Sequence, residues 1–172
     1  RMKYFVKNQP WSKFLAKLFI LSAALFGGLF LILDRYRVGI DPQYDKCIPG
    51  YTFYLIDLKN KALEKDKTFA FRAIGLEPIF KDGTRMVKFV RGMPGDTIEI
   101  NKKLDISVNG SIQANGLPLL KKLNAQEAGF VGKKVLGENE HWMMGLSFTS
   151  FDSRYWGAIS KEQVIGKAYP LF

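Results

Sequence analysis

Two short segments carry a thiol and an amine that could act together. Cys47, in YDKCIPGY, is the single cysteine of the chain, and Lys88 lies in RMVKFVRGMPGDTIEI. The thiolate is the nucleophilic form, and a free thiol is only slightly ionised near neutral pH. A neutral lysine amine within reach would take that proton, so the pair points to a dyad that cleaves peptide bonds. Each residue alone has a plainer reading, the cysteine as a small core hydrophobe and the lysine as a solvated charge. One cysteine allows no disulfide within the chain, and no Cys-x-x-Cys exists for thiol exchange. No Cys/His cluster suits zinc, and the one histidine, His141 beside Trp142, reads as structural. Neither a metal nor an organic cofactor is expected.

Short strands must position these groups. The stretches 51–58, 68–74, 85–92, 96–100, 105–110 and 141–146 are aromatic or β-branched and bounded by turn residues. Asn109-Gly110 and Asp82-Gly83 are tight-turn signals. Residues 117–129, LPLLKKLNAQEAG, have the pattern of one amphipathic helix, and Lys161-Glu162-Gln163 after Ser160 can begin a short helical turn. The expected fold is mostly β, with one or two short helices. The 139 residues 34–172 suit one domain with a single core, and 34–46 is the one candidate linker.

Ahead of that domain, residues 14–33 read FLAKLFILSAALFGGLFLIL and are uncharged from Leu18 onward. At about 1.5 Å per residue they span about 30 Å, the thickness of a bilayer core. Asp34-Arg35-Tyr36-Arg37 stands where a cleaved signal would have small residues, so the run reads as a retained transmembrane helix. Five basic residues (Arg1, Lys3, Lys7, Lys13, Lys17) and no acidic ones precede Leu18, whereas both signs follow Leu33. The expected division is a cytoplasmic tail 1–13, a span 14–33 and an outer domain 34–172. Of the net charge of +10, half lies before Leu18, leaving 21 basic against 16 acidic residues beyond it. Nucleic-acid binding is poorly supported by that balance, and attraction to anionic lipid headgroups fits it better.

Three segments in order resemble boxes of the signal peptidase I superfamily, the serine–lysine membrane peptidases. KCIPGYTFYLI is similar to the nucleophile box, VKFVRGMPGDTIEI to the lysine box with its Gly-x-Pro-Gly-Asp turn, and GLSFTSFDSRYWGAI to the final box. The resemblance implies that Cys47 is the nucleophile and Lys88 its general base, on a strand whose neighbours Met86, Phe89 and Val90 would disfavour the ammonium form. It implies that Ser150 orients the lysine amine, that Asp152 and Arg154 brace the site as a carboxylate–guanidinium pair, and that Gly92, Pro94, Gly95 and Asp96 are architecture.

The interval between the lysine box and the final box is too short for a large accessory β domain. In this the chain is similar to the conjugative transfer peptidases of the TraF type, which mature pilin. That likeness implies a single-pass protein of a Gram-negative inner membrane, its catalytic domain periplasmic, that cuts after a small residue in a membrane-associated precursor such as a conjugative pilin.

The chain departs from the family in two ways. Cysteine stands where serine is usual, so the acyl intermediate would be a thioester, which amines capture over water more readily than they capture an ester; peptide cyclisation would suit that bias. Asp45 stands two positions before the nucleophile, where a hydroxyl residue is often found. Its carboxylate would repel an oxyanion, which must then rely on the Cys47 N–H and another donor. The competing readings are a signal peptidase acting by plain hydrolysis and an inactive membrane-tethered module of a secretion apparatus. The intact lysine and final boxes oppose the latter.

Overall fold

The computed structural model describes residues 10–172, which divide into two units with the boundary after Tyr36. In the first, the apolar run forms helix α1, Trp11–Arg35, with Pro10 at its N-cap and Arg35 in its last turn. None of its residues is buried, and by length and composition it can cross a membrane. A helix apolar over most of its length is suited to an apolar solvent. It runs a few residues beyond 14–33 at both ends. Residues 1–9 of the expected tail lie outside the described residues.

The second unit is built of two antiparallel sheets. The larger takes the order β1-β2-β11-β3-β4-β9-β10, from Tyr36–Ile40, Phe53–Asp57, Val164–Pro170, Thr68–Arg72, Arg85–Gly92, Glu140–Met144 and Ile159–Ser160 respectively. The smaller takes the order β7-β6-β5-β8, from Ser111–Asn115, Asp105–Val108, Thr97–Ile100 and Gly132–Val135. The mostly β expectation holds. Alternation sets the packing: Phe69, Phe71, Val90 and Met143 bury one face of the larger sheet, and Ile48, Tyr54, Ile56, Ala70 and Ala168 form a second cluster. Ile98, Ile100, Ile106 and Val108 of the smaller sheet pack with Trp142 and Met144 into a third. Every expected strand is present within a few residues of its predicted ends, and Asn109-Gly110 makes the β6–β7 turn with both residues at positive φ.

The expected helix at 117–129 does not form. Leu120 N–H donates to Leu117 O and Leu123 N–H to Leu119 O, but Asn124 takes a left-handed conformation at φ 51°, and only a 3-10 turn follows, at Glu127–Gly129. Fewer than two turns cannot offset the cost of helix nucleation, and the apolar pattern is satisfied instead by seating Leu117 and Leu120 in the core as loop anchors. The 34–46 segment is likewise more than a linker, because Tyr36–Ile40 joins the larger sheet as its edge strand. The short turn at Lys161–Gln163 forms as expected, with Gln163 Oε1 accepting from the Ser160 N–H at 2.8 Å.

Candidate active site

Strand β4 carries Lys88 into the middle of the larger sheet, between β3 and β9. The period of two puts it on one face with Met86 and Val90, and the ladder sets it opposite Phe69. Lys88 is 3% exposed. A buried ammonium or amine needs a polar partner, and Lys88 Nζ finds one in Ser150 Oγ at 3.1 Å. Phe89 pairs with Met144, so Lys88 falls where β9 has just given way to Gly145. The chain turns there, and Ser150 comes back over the end of the strand.

The turn that follows the lysine strand is fixed independently. Gly95 sits at φ 86°, where a residue with a Cβ is strained. Asp96 Oδ2 accepts from the Met93 N–H at 2.9 Å and Oδ1 from Asn109 Nδ2 at 2.7 Å. Burial alone would raise the Asp96 pKa, but these donors and Lys65 hold the carboxyl below its ordinary value. The segment acts as architecture, as its sequence suggests.

The final box supplies the brace. Asp152, fully buried, caps the single-turn helix α2, Ser153–Trp156, by accepting from the Arg154 N–H. Its side chain also accepts from Arg154 Nε at 2.8 Å and Nη2 at 2.9 Å, and from the Gly145 N–H at 2.9 Å. Arg154 Nη2 donates further to Ser150 O at 3.0 Å and Ser147 O at 3.3 Å. One bidentate pair thus closes the loop 145–150 onto itself. Burial by itself would lower the Arg154 pKa, yet the adjoining carboxylate more than offsets this and holds it above its ordinary value. Ser153 Oγ accepts from the Met143 N–H at 2.8 Å, and the Phe151 ring stacks between Phe80 and Tyr155. These contacts leave the loop little freedom.

Cys47 meets this loop through its main chain. Its carbonyl accepts from the Leu146 and Ser147 N–H groups at 2.8 and 3.1 Å. Ile48, 1% exposed, anchors the next residue in the core. Gly145 lies between the two halves of the site: a Cβ there would stand 2.7 Å from Cys47 O and overlap Ser150 Oγ. Only glycine allows that approach. Gly145 was not among the site residues expected from sequence, although its place as the first residue of the final box was a usable signal. The thiol itself donates to Gln43 Oε1 at 3.9 Å, and it makes no hydrogen bond with Lys88 among the described residues. Buried Tyr54 lies close enough that burial, Asp41 and Cys47, in that order, help push its pKa up to about 12. The structure therefore joins Lys88, Ser150, Asp152 and Arg154 directly, and Cys47 through Gly145 and the 146–147 amides.

A signal peptidase, peptidase S26, family model matches residues 45–172. The chain belongs to this family. The match opens two residues before Cys47 and takes in Lys88, Ser150, Asp152 and Arg154. A signal peptidase I from Enterococcus faecalis V583, known from a crystal structure, is similar at 21% identity, covering 63% of this chain and 97% of that one with a TM-score of 0.38. None of the curated proteins compared matches. Family membership makes the chain a signal-peptidase-like protease acting on membrane-associated peptides. Helix α1 is consistent with a single-pass membrane anchor for such a protease.

Proposed function

We propose that this S26 protein is a single-pass endopeptidase of the TraF type that cuts after a small residue in a membrane-associated precursor, a conjugative pilin, through Cys47 and Lys88. Residues 1–13 lie in the cytoplasm, 14–33 span the inner membrane and 34–172 form the periplasmic catalytic domain. Lys88 Nζ takes the thiol proton as Cys47 Sγ bonds to the scissile carbonyl carbon. The tetrahedral intermediate then expels the amine, which receives the proton from Lys88, and a thioester remains. A peptide amino group or water attacks that thioester and frees the thiol. Ser150 orients the lysine, and Asp152 with Arg154 holds the loop. The observation that carries this reading is the buried Lys88–Ser150 bond on a loop whose amides bind the Cys47 carbonyl. The hydroxyl aims the amine, and a base serves this chemistry only when neutral.

The test is co-expression with the precursor, followed by mass spectrometry. Parent protein should process it, Cys47→Ala should not, and Cys47→Ser should retain some processing. Processing by the Ala variant at the parental rate sinks the assignment. A thioester favours amines, so the parent should yield closed peptide, lighter by one water than the linear chain, or transferred peptide, heavier by its acceptor less one water, and Cys47→Ser should shift the products toward linear peptide. An unchanged ratio would leave the cysteine without a chemical reason, and linear peptide alone from both would favour the hydrolytic signal peptidase.

A further inference from the structure

We infer that Gln43 supplies the second oxyanion donor, its carboxamide N–H taking the place that Asp45 cannot fill. The inference rests on Cys47 being the nucleophile. When Sγ adds to the scissile carbonyl, a C–S bond forms and the C=O electron pair moves to oxygen; when the intermediate collapses, that pair returns and the C–N bond breaks. The oxygen is one carbon removed from the sulfur. An effective donor stands about 2.7–3.1 Å from that oxygen. A group 3.9 Å from Sγ, as the Gln43 carboxamide is, lies within reach of it.

Several neighbouring donors already have partners among the described residues. The Leu146 and Ser147 amides serve Cys47 O, the Gly145 amide serves Asp152, and Lys46 Nζ donates to Thr52 Oγ1. Ser147 Oγ is engaged with Thr149 Oγ1 at 3.1 Å. Asp45 offers only acceptors when ionised. Beside the sulfur stand the Cys47 N–H and the Gln43 carboxamide, the latter in hydrogen-bond contact with Sγ itself. Its present contact uses the oxygen as acceptor from the thiol, and a half-turn about the last side-chain bond presents the NH₂ instead. That exchange suits a catalytic cycle: the oxygen holds the thiol hydrogen before reaction, and the amide hydrogen meets the oxyanion after the proton has left. The backbone is held for this, because the Gln43 N–H donates to Asp41 Oδ1 at 3.0 Å.

The experiment uses the full-length protein in detergent or bilayer with three readouts: precursor cleavage, inhibition by a peptide aldehyde, and alkylation by iodoacetamide. The aldehyde forms a tetrahedral adduct with an oxyanion, whereas alkylation forms none. Gln43→Ala should lower kcat/KM about 10²–10³-fold, weaken the aldehyde by a similar factor and leave the alkylation rate within a few-fold. Gln43→Glu, of nearly the same shape, should fall lower still, because its carboxylate opposes the oxyanion. Gln43 is exposed, so neither change should alter thermal unfolding. Parental cleavage or parental aldehyde affinity in Gln43→Ala overturns the inference and leaves the nucleophile assignment standing. An active Cys47→Ala removes both.

Discussion

Lys88 and Ser150 are joined by a hydrogen bond of 3.1 Å although 62 positions separate them in the chain. Both are buried, at 3% and 2% exposure, so each is the other's replacement for water. Strand pairing puts the amine at the end of β9, and the Asp152–Arg154 pair returns the hydroxyl to it. On the proposed reading of Lys88 as the base, that arrangement aims its amine. The hydroxyl fixes direction through a single hydrogen bond.

Substitution at either residue should separate chemistry from stability. Lys88→Arg should be inactive while folding, since a guanidinium does not release its proton at any working pH. Ser150→Ala leaves the buried amine without its hydroxyl, a cost of about 1–3 kcal/mol, and should lower activity even at temperatures where the variant stays folded. Precursor cleavage beside a thermal melt decides both. An active Lys88→Arg would assign the base elsewhere.

Gly145 should tolerate no side chain. A Cβ there would overlap Ser150 Oγ and stand 2.7 Å from the Cys47 carbonyl, so Gly145→Ala must push apart the two halves of the site. Gly137 offers a control, because a Cβ on it would meet only the Glu140 side chain at 3.6 Å or more. Cleavage should be lost in Gly145→Ala and kept in Gly137→Ala. Equal activity in the two would show that the approach of Gly145 to Cys47 is incidental.

The brace should behave as a buried ion pair. Removing one partner leaves the other's charge uncompensated, a loss of about 3–5 kcal/mol, so Asp152→Ala and Arg154→Ala should each melt far below the parent. Arg154→Lys keeps the charge but loses the fork that reaches Asp152 and the Ser147 and Ser150 carbonyls together. It should be intermediate in stability, with cleavage reduced more than the melt suggests. Denaturant midpoints and cleavage rates on the same samples provide the check.

How much of this was legible in the sequence varies with the kind of signal. Arg85–Gly92 matched its predicted strand to the residue, because the alternation of that segment and the glycine and proline after it are local facts. The final strand Val164–Pro170 was not predicted, since Val-Ile-Gly-Lys-Ala-Tyr-Pro lacks clean alternation and takes its place only by pairing with β2 and β3 on either side. The amphipathic pattern at 117–129 misled for the converse reason: buried leucines at helical spacing also serve a loop. For the site, box order named Lys88, Ser150, Asp152 and Arg154, which do meet. Gly145 and Gln43 escaped notice because their roles are distances, and distances across a turn leave no pattern along the chain.

His141 should give the domain an acid-sensitive step. It is buried on β9 with Nδ1 lacking a partner, and burial holds its pKa below the ordinary 6.5. The unfolded chain therefore binds a proton that the folded one resists. Stability is full above about 6.5 and falls as the pH drops from there toward the folded pKa, since protonation draws the equilibrium to the unfolded side. No other histidine exists in the chain, so the window between about pH 7 and 5 is largely its own. Thermal unfolding measured across that window should show the parent losing stability on acidification. His141→Gln, which cannot titrate, should show a flatter profile whatever its absolute stability, and an unchanged slope would place the sensitivity in the carboxylates instead.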